Sequence, residues 1–370
     1  MSADDCNSGG KTADPGQNIR AVWPDMLRIF SVIAVIFLHA GGAGFFAFAP
    51  QSSQWQVCNF YDGAARFGVP CFVMLSGMFI LDPAREYPLK KLLRQKILRI
   101  AAAFCFWSAF YSLFSVIDIA SYGGFSGIYE VLITFIKGFF NGYYHMWFLG
   151  MICGLYLIAP FLRRLVRDEK LTRYFLLLAF IFVFAANVLH KLPGNAAVKW
   201  LCMIVDTMEV RLVAGFSVSF VWGRWLASHE LTLKMRKIIY ILGIAGALVT
   251  VGGNGIIGWY LDEIGTWTYD NLLPNVFLTA TAVFVFCQYI FRAENFSETG
   301  RKIVGSLGKW SFGIYLAHVF FLEHLYRIGL PNFFCDPLLS VPITSTVVFA
   351  ASLILVFMLS KIPGVRKYVI

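Results

Sequence analysis

Residues 24–40 read PDMLRIFSVIAVIFLHA, and the fold is decided there. The run is apolar between Arg28 and His39 and continues to residue 47. That supplies the roughly 20 residues a helix needs to cross a hydrocarbon layer. Three ionisable groups sit in it, Asp25, Arg28 and His39, and charge at membrane depth is costly enough to need a reason. At 100° per residue, Arg28 and His39 lie about 20° apart around a helix and roughly 16 Å apart along it. They therefore share a face. Asp25, three residues before Arg28, is placed to pair with it. A snorkelling arginine and a hydrogen-bonded core histidine would also fit a purely structural helix. The functional reading is a channel with an anion at its cationic mouth and a general base at its depth.

The rest of the chain has the same character. Of its 370 residues 58% are apolar and 14% charged, with 37 Phe and 10 Trp, and the mean hydropathy is +0.68. Soluble domains carry about 25% charged residues. The expected fold class is therefore all-α, a polytopic membrane protein. Apolar runs at 26–47, 64–82, 100–117, 146–162, 174–189, 212–226, 238–256, 272–291, 310–326 and 341–360 predict about ten transmembrane helices. The net charge of +10 does not point to nucleic acid. Basic residues fall in short clusters between apolar runs, at 82–99 and 163–173 above all, which is the positive-inside pattern. It predicts that both termini are cytoplasmic. The apolar stretch 127–144 is interrupted by Glu130, Lys137 and Asn141. Parity requires that it not cross, so it is expected to be re-entrant or interfacial. Residues 1–18 are polar and Gly/Asp-rich, a disordered cytoplasmic tail rather than a signal peptide. Residues 19–370 form a single transmembrane domain.

The eight cysteines form no Cys-x-x-Cys pair, so no metal site is expected. Cys58 and Cys335 both fall in outer loops, where a disulfide is allowed.

Further candidate residues lie on other spans. GKWSFGIYLAHVFFLEHL, residues 308–325, puts Ser311, Tyr315 and His318 on one helical face. YYHMWFLG, residues 143–150, puts His145 just before a span on the outer side. It serves there either in an aromatic belt or at an acceptor mouth. Asp62 and Arg66 read as a structural ion pair. In PCFVMLSGMF, residues 70–79, Ser76 and Gly77 are small enough for close helix packing, and Ser76 also counts among the donor-binding candidates. LKKLLRQKILRIA, residues 89–101, spaces Lys90, Lys91, Arg94, Lys96 and Arg99 as a cationic shelf for phosphates.

Taken together, DMLRIFSVIAVIFLHA (25–40), VPCFVMLSG (69–77), KILRI (96–100), YHMWFLGMICGLYLIAP (144–160) and SFGIYLAH (311–318) resemble the acyltransferase family 3 integral membrane proteins. With TWTYDNLLPNVF (266–277) the chain is most similar to the short branch that includes the enterobacterial common antigen O-acetyltransferase. The resemblance implies an O-acetyltransferase of the bacterial inner membrane. It would move acetyl from cytoplasmic acetyl-CoA to a hydroxyl of a surface or exported carbohydrate. His39 matches the family's essential histidine and Arg28 the arginine eleven positions before it. The family's Arg-x-x-Arg falls on Lys96-Ile-Leu-Arg99, where lysine keeps the charge and loses the bidentate fork. Lys91-Leu-Leu-Arg94 is the alternative register. On this reading Arg28, Lys96, Arg99 and Arg94 hold the phosphates of CoA, and His39 is the base. The acceptor passes His145, and Tyr315 or His318 stabilises the oxyanion. Direct transfer and a transient acyl-histidine both remain open. The runner-up is a transporter or flippase for a glycan or lipid-linked intermediate, with no chemistry. A membrane sensor is a third reading.

Overall fold

A computed structural model of the chain describes residues 21–85, 88–191, 194, 196–208, 215–327 and 334–369. The expected tail at 1–18 lies outside the described residues. Among those described there is no strand. In chain order the helices are α1 (Trp23–Gly42), α2 (Ser53–Ala65), α3 (Gly68–Ile80), α4 (Leu89–Leu92), α5 (Leu98–Ser121) and α6 (Ile128–Asn141). Then come α7 (Trp147–Leu165), α8 (Glu169–Ala179), α9 (Ala186–Leu189), α10 (Ala196–Thr207), α11 (Ser217–Ser228) and α12 (Leu233–Leu248). The last are α13 (Asn254–Leu261), α14 (Pro274–Ile290), α15 (Glu298–Arg327), α16 (Pro337–Leu359) and α17 (Pro363–Tyr368). π-Helical turns at Leu93–Ile97, Phe180–Ala185 and Val249–Gly253 join α4 to α5, α8 to α9 and α12 to α13.

Seven helical segments are long and apolar enough to cross a membrane: Trp23–Phe45, Ser53–Ile80, Leu89–Ser121, Ile128–Leu165, Glu169–Leu189, Leu233–Leu261 and Pro337–Leu359. The other three expected spans differ for physical reasons. Helix α11 has 12 residues and α14 has 17, both short of the roughly 20 that a bilayer needs. Helix α15 has 30 but carries Glu298, Arg301, Lys302, Lys309 and Glu323. Ala21 and Arg366 line one cavity, so both ends of the described chain sit at the same end of the bundle.

Helix α1 is the axis of the molecule. Pro24 occupies its first turn, where a missing N–H costs nothing, and Asp25 suits the positive end of the helix dipole. It packs against α2, α3, α14, α15 and α16. Helices α3 and α11 cross backbone to backbone. A Cβ on Gly77 would lie 1.8 Å from the Phe220 carbonyl oxygen, and one on Gly223 would lie 2.1 Å from that of Met74. Only glycine permits that approach, the small-residue packing seen between membrane helices.

The segment 127–144 is the first half of a broken return. Ser108 of α5 donates to the carbonyl oxygens of Gly138 and Phe139, so α6 comes back along α5 only to its middle. There Gly142 takes φ +69°, a conformation that favours glycine, and a 3-10 turn at Tyr144–Met146 leads into α7. Helix α7 therefore starts at mid-height, not at the outer surface. His145 moves with it from the expected mouth to the core, where it is 1% exposed. Cys58 and Cys335 are both free thiols, and Cys58 is buried, so the allowed disulfide is not formed. Helix α10 is an element the hydropathy reading did not anticipate.

Candidate active site

The site is assembled from α1, the 3-10 turn before α7, and α15. The two hydrogen-bond partners of α1's histidine are one backbone carbonyl and one other ring. His318 Nδ1 lies 2.6 Å from the Tyr315 carbonyl oxygen. A carbonyl only accepts, so that nitrogen carries the hydrogen and His318 Nε2 carries the lone pair. His39 Nδ1 lies 2.9 Å from the Val35 carbonyl oxygen and 3.0 Å from His318 Nε2. It therefore donates to both, and the lone pair of His39 is on Nε2. His318 is fully buried and holds the His39 ring in that tautomer. The His39 ring also meets Tyr144 edge-on at 5.5 Å.

His145 completes a histidine cluster, its ring 5.4 Å from that of His318. Its Nε2 donates to the Leu316 carbonyl at 3.3 Å, and Tyr315 donates its hydroxyl hydrogen to the His145 carbonyl. Tyr111 of α5 donates to the same Leu316 carbonyl at 2.8 Å. These bonds lock the broken segment onto α15. In this structure the hydroxyl hydrogen of Tyr315 and the Nδ1 hydrogen of His318 are each engaged with a backbone carbonyl.

Two cavities approach this cluster from opposite ends of α1. One, of about 970 Å³, is lined by Arg28, Arg85, Lys96, Arg99, Lys309 and Arg366. Phe72, Phe79, Phe148 and Tyr156 supply its apolar walls, with Ser76 among them. Asp25 forms an ion pair with Arg28, and Arg28 also lies over the Phe79 ring at 5.0 Å. Lys96 and Arg99, one turn apart, both face in. Arg94 is exposed and is not among the residues that line this cavity. Lys96–Arg99 is therefore the register that meets the cavity. The second cavity, of about 880 Å³, is lined by His39, Asp62, Arg66, Tyr144, Asp118 and Glu323.

No described residue lines both cavities. The single open channel expected from the sequence is divided by rings. Phe148 and Tyr315 meet at 5.5 Å, Phe72 and Phe148 at 6.1 Å, and Phe72 and Tyr315 at 6.4 Å. Large flat side chains from α3, α7 and α15 fill the middle of the bundle.

Several residues here escaped the sequence reading. Asp62 is 1% exposed and bonded to Arg66 at 2.8 Å, and Arg66 lies over the Tyr269 ring at 4.3 Å. The pair was expected to be structural, yet it forms part of the cavity wall beside His39. Glu323 of α15 lines the same cavity and accepts from the Tyr143 hydroxyl at 2.8 and 2.6 Å. The i, i+4 spacing was a usable signal for the first; nothing local announced the second. Among the described residues there is no group of three His, Cys, Asp or Glu side chains able to hold a metal.

A bundle of apolar helices with two ligand-sized cavities near the His39–His318 pair is the architecture of a multi-pass membrane protein. The family model described as an acyltransferase domain matches residues 21–361, and the chain belongs to that family, acyltransferase family 3. It is a membrane acyltransferase. Neither a curated protein nor a solved structure matches the chain significantly.

Proposed function

We propose that the protein is an O-acetyltransferase that uses acetyl-CoA held in the cationic cavity and a carbohydrate hydroxyl held in the cavity beside His39. The observation that carries this reading is the His39–His318 pair, 3.0 Å apart, lying between two cavities of different chemistry. The cations of the first suit an anionic donor, and its aromatic wall suits the thin pantetheine arm. That is a chemical fit to CoA in residues the family motifs supply. Arg28, Lys96 and Arg99 hold phosphate, and Ser76 lies along the arm.

In this reaction the rings of Phe72, Phe148 and Tyr315 part to admit the thioester to His39, and the acceptor hydroxyl gives its proton to His39 Nε2 as its oxygen adds to the thioester carbon. The new C–O bond forms, the tetrahedral oxyanion collapses and the C–S bond breaks. The proton then passes from His39 to the departing sulfur. The products are an acetyl ester and a free thiol. While His39 is an imidazolium, its Nδ1–H bonds to Val35 and His318 become charge-assisted and strengthen.

On this reading the cationic end of the bundle faces the cytoplasm of a bacterium, in the inner membrane. Both termini lie on that side, and about ten helices cross when α11, α14 and α15 span alongside longer neighbours. The 266–277 motif supports a place near the common-antigen branch.

The test is thiol release from acetyl-CoA by the purified protein, with and without acceptor glycan, and mass spectrometry of the glycan. His39→Ala should still insert and fold while losing about 10²–10⁴ of the transfer rate, the usual worth of a general base. Transfer that survives in His39→Ala would overturn the proposed base. Movement of a glycan across the membrane without acetyl-CoA would support a transporter instead.

A further inference from the structure

The donor-side cavity has more cations than the family motifs account for. Arg28, Lys96 and Arg99 belong to the motifs, while Arg85, Lys309 and Arg366 reach the same cavity from three other parts of the chain. The two sets differ in depth. The Arg28 side chain is 26% exposed and Arg85 is 49% exposed, and Lys309 and Arg366 are exposed. The second set therefore forms the outer part of the cavity.

Arg366 is the least expected member. It lies on α17, six residues long, near the end of the chain, and so short a helix does not hold itself together in isolation. Tertiary packing holds this one in place. Helix α17 packs against α5, the helix that carries Arg99. Val365 contacts the main hydrophobic core, and Val369 is 7% exposed. Two valines four residues apart thus dock one face of the helix, and Arg366 lines the cavity beside them. Asp25 and Asp82 pair with Arg28 and Arg85, while Lys309 and Arg366 add like charge around the same cavity, and an anion with more than one phosphate group relieves the remaining repulsion. A coenzyme A thioester has two such places, a diphosphate in the middle and a phosphomonoester on the ribose at its far end.

We propose that Arg366, with Arg85 and Lys309, forms an outer anion subsite for the ribose phosphomonoester of the donor. The C-terminal helix is then part of the donor site. The protein selects nucleotide-bearing thioesters over shorter pantetheine thioesters. This rests on the acyl-CoA reading above.

The experiment is steady-state kinetics of the full-length protein with acetyl-CoA, acetyl-3′-dephospho-CoA and acetyl-pantetheine. Wild type should have its lowest KM for acetyl-CoA. Arg366→Ala should raise that KM roughly tenfold or more, the worth of a charged hydrogen bond, and bring it close to the dephospho value. kcat and the KM for the other two thioesters should hold. Lys309→Ala should move in the same direction, and Arg366→Lys should recover part of the loss. An equal loss on all three thioesters would mean that α17 only props up the fold, and it would overturn the subsite. So would no change in KM. If wild type turns over none of the three, the acyl-CoA reading and the subsite both fail. If acetyl-CoA is used with dependence on His39 while Arg366→Ala changes nothing, only the subsite fails.

Discussion

In the proposed reaction His39 acts as a base through Nε2, because its other nitrogen is occupied. The Val35 carbonyl and the His318 lone pair hold the ring hydrogen on Nδ1, which leaves Nε2 to take a proton. His318→Leu keeps the volume and removes one acceptor. It should lower kcat roughly tenfold, the worth of one hydrogen bond to a charged group, and leave the donor KM unchanged. His318→Gln retains a carbonyl acceptor and should recover part of kcat. A parallel rise in KM would show instead that His318 shapes the cavity. That Arg28 and His39 share a face was legible from their spacing, because the helical repeat alone puts them there. The pairing of His39 with His318 was not, since 279 residues separate them. Nor was the depth of His145, which depends on a break in its helix that hydropathy does not register.

Among the elements, the contact of α1 with α15 decides how the cationic end is held. A Cβ on Gly308 would lie 2.6 Å from the Cβ of Asp25, the partner of Arg28. Gly308→Ala should therefore push Asp25 aside and release Arg28. The expected result is a higher KM for the donor and about 1–3 kcal/mol less stability, as for other overpacked positions. Thermal unfolding in detergent and donor kinetics check the two parts separately. Uninterrupted apolar helices were readable almost to their ends. The run at 341–360 became Pro337–Leu359, because its length and composition carry the whole signal. Interrupted ones were not. The stretch 127–144 and the span after it proved to be two halves of Ile128–Leu165. A hydropathy pattern records how much apolar surface there is and not where a glycine at positive φ turns the chain. The glycines at 77 and 223 look like ordinary small residues in sequence; only the crossing of α3 with α11 shows why neither admits a side chain.

The whole molecule keeps two cavities apart. The rings of Phe72, Phe148 and Tyr315 form the partition, and with the proposed thioester donor a partition that keeps water off the reactive carbon prevents wasteful hydrolysis. Phe148→Ala should open it. Thiol release from acetyl-CoA without acceptor should rise, and the share of acetyl groups reaching the acceptor should fall. Unchanged acceptor-free release would show that the rings only fill space. By itself the amino-acid sequence determined that this chain is helical and membrane-bound. It also determined that a basic end, Arg28 and His39 lie along one helix face, since the cost of placing each residue in lipid and the helical repeat are local properties. The family followed from the same residues. Tertiary structure alone decided that His318 holds His39, that His145 sits at the core, and that aromatic rings split the expected channel in two. Those outcomes depend on how side chains from α1, α3, α7 and α15 fill a shared space, and the close packing of distant segments is not written in any one stretch of the chain.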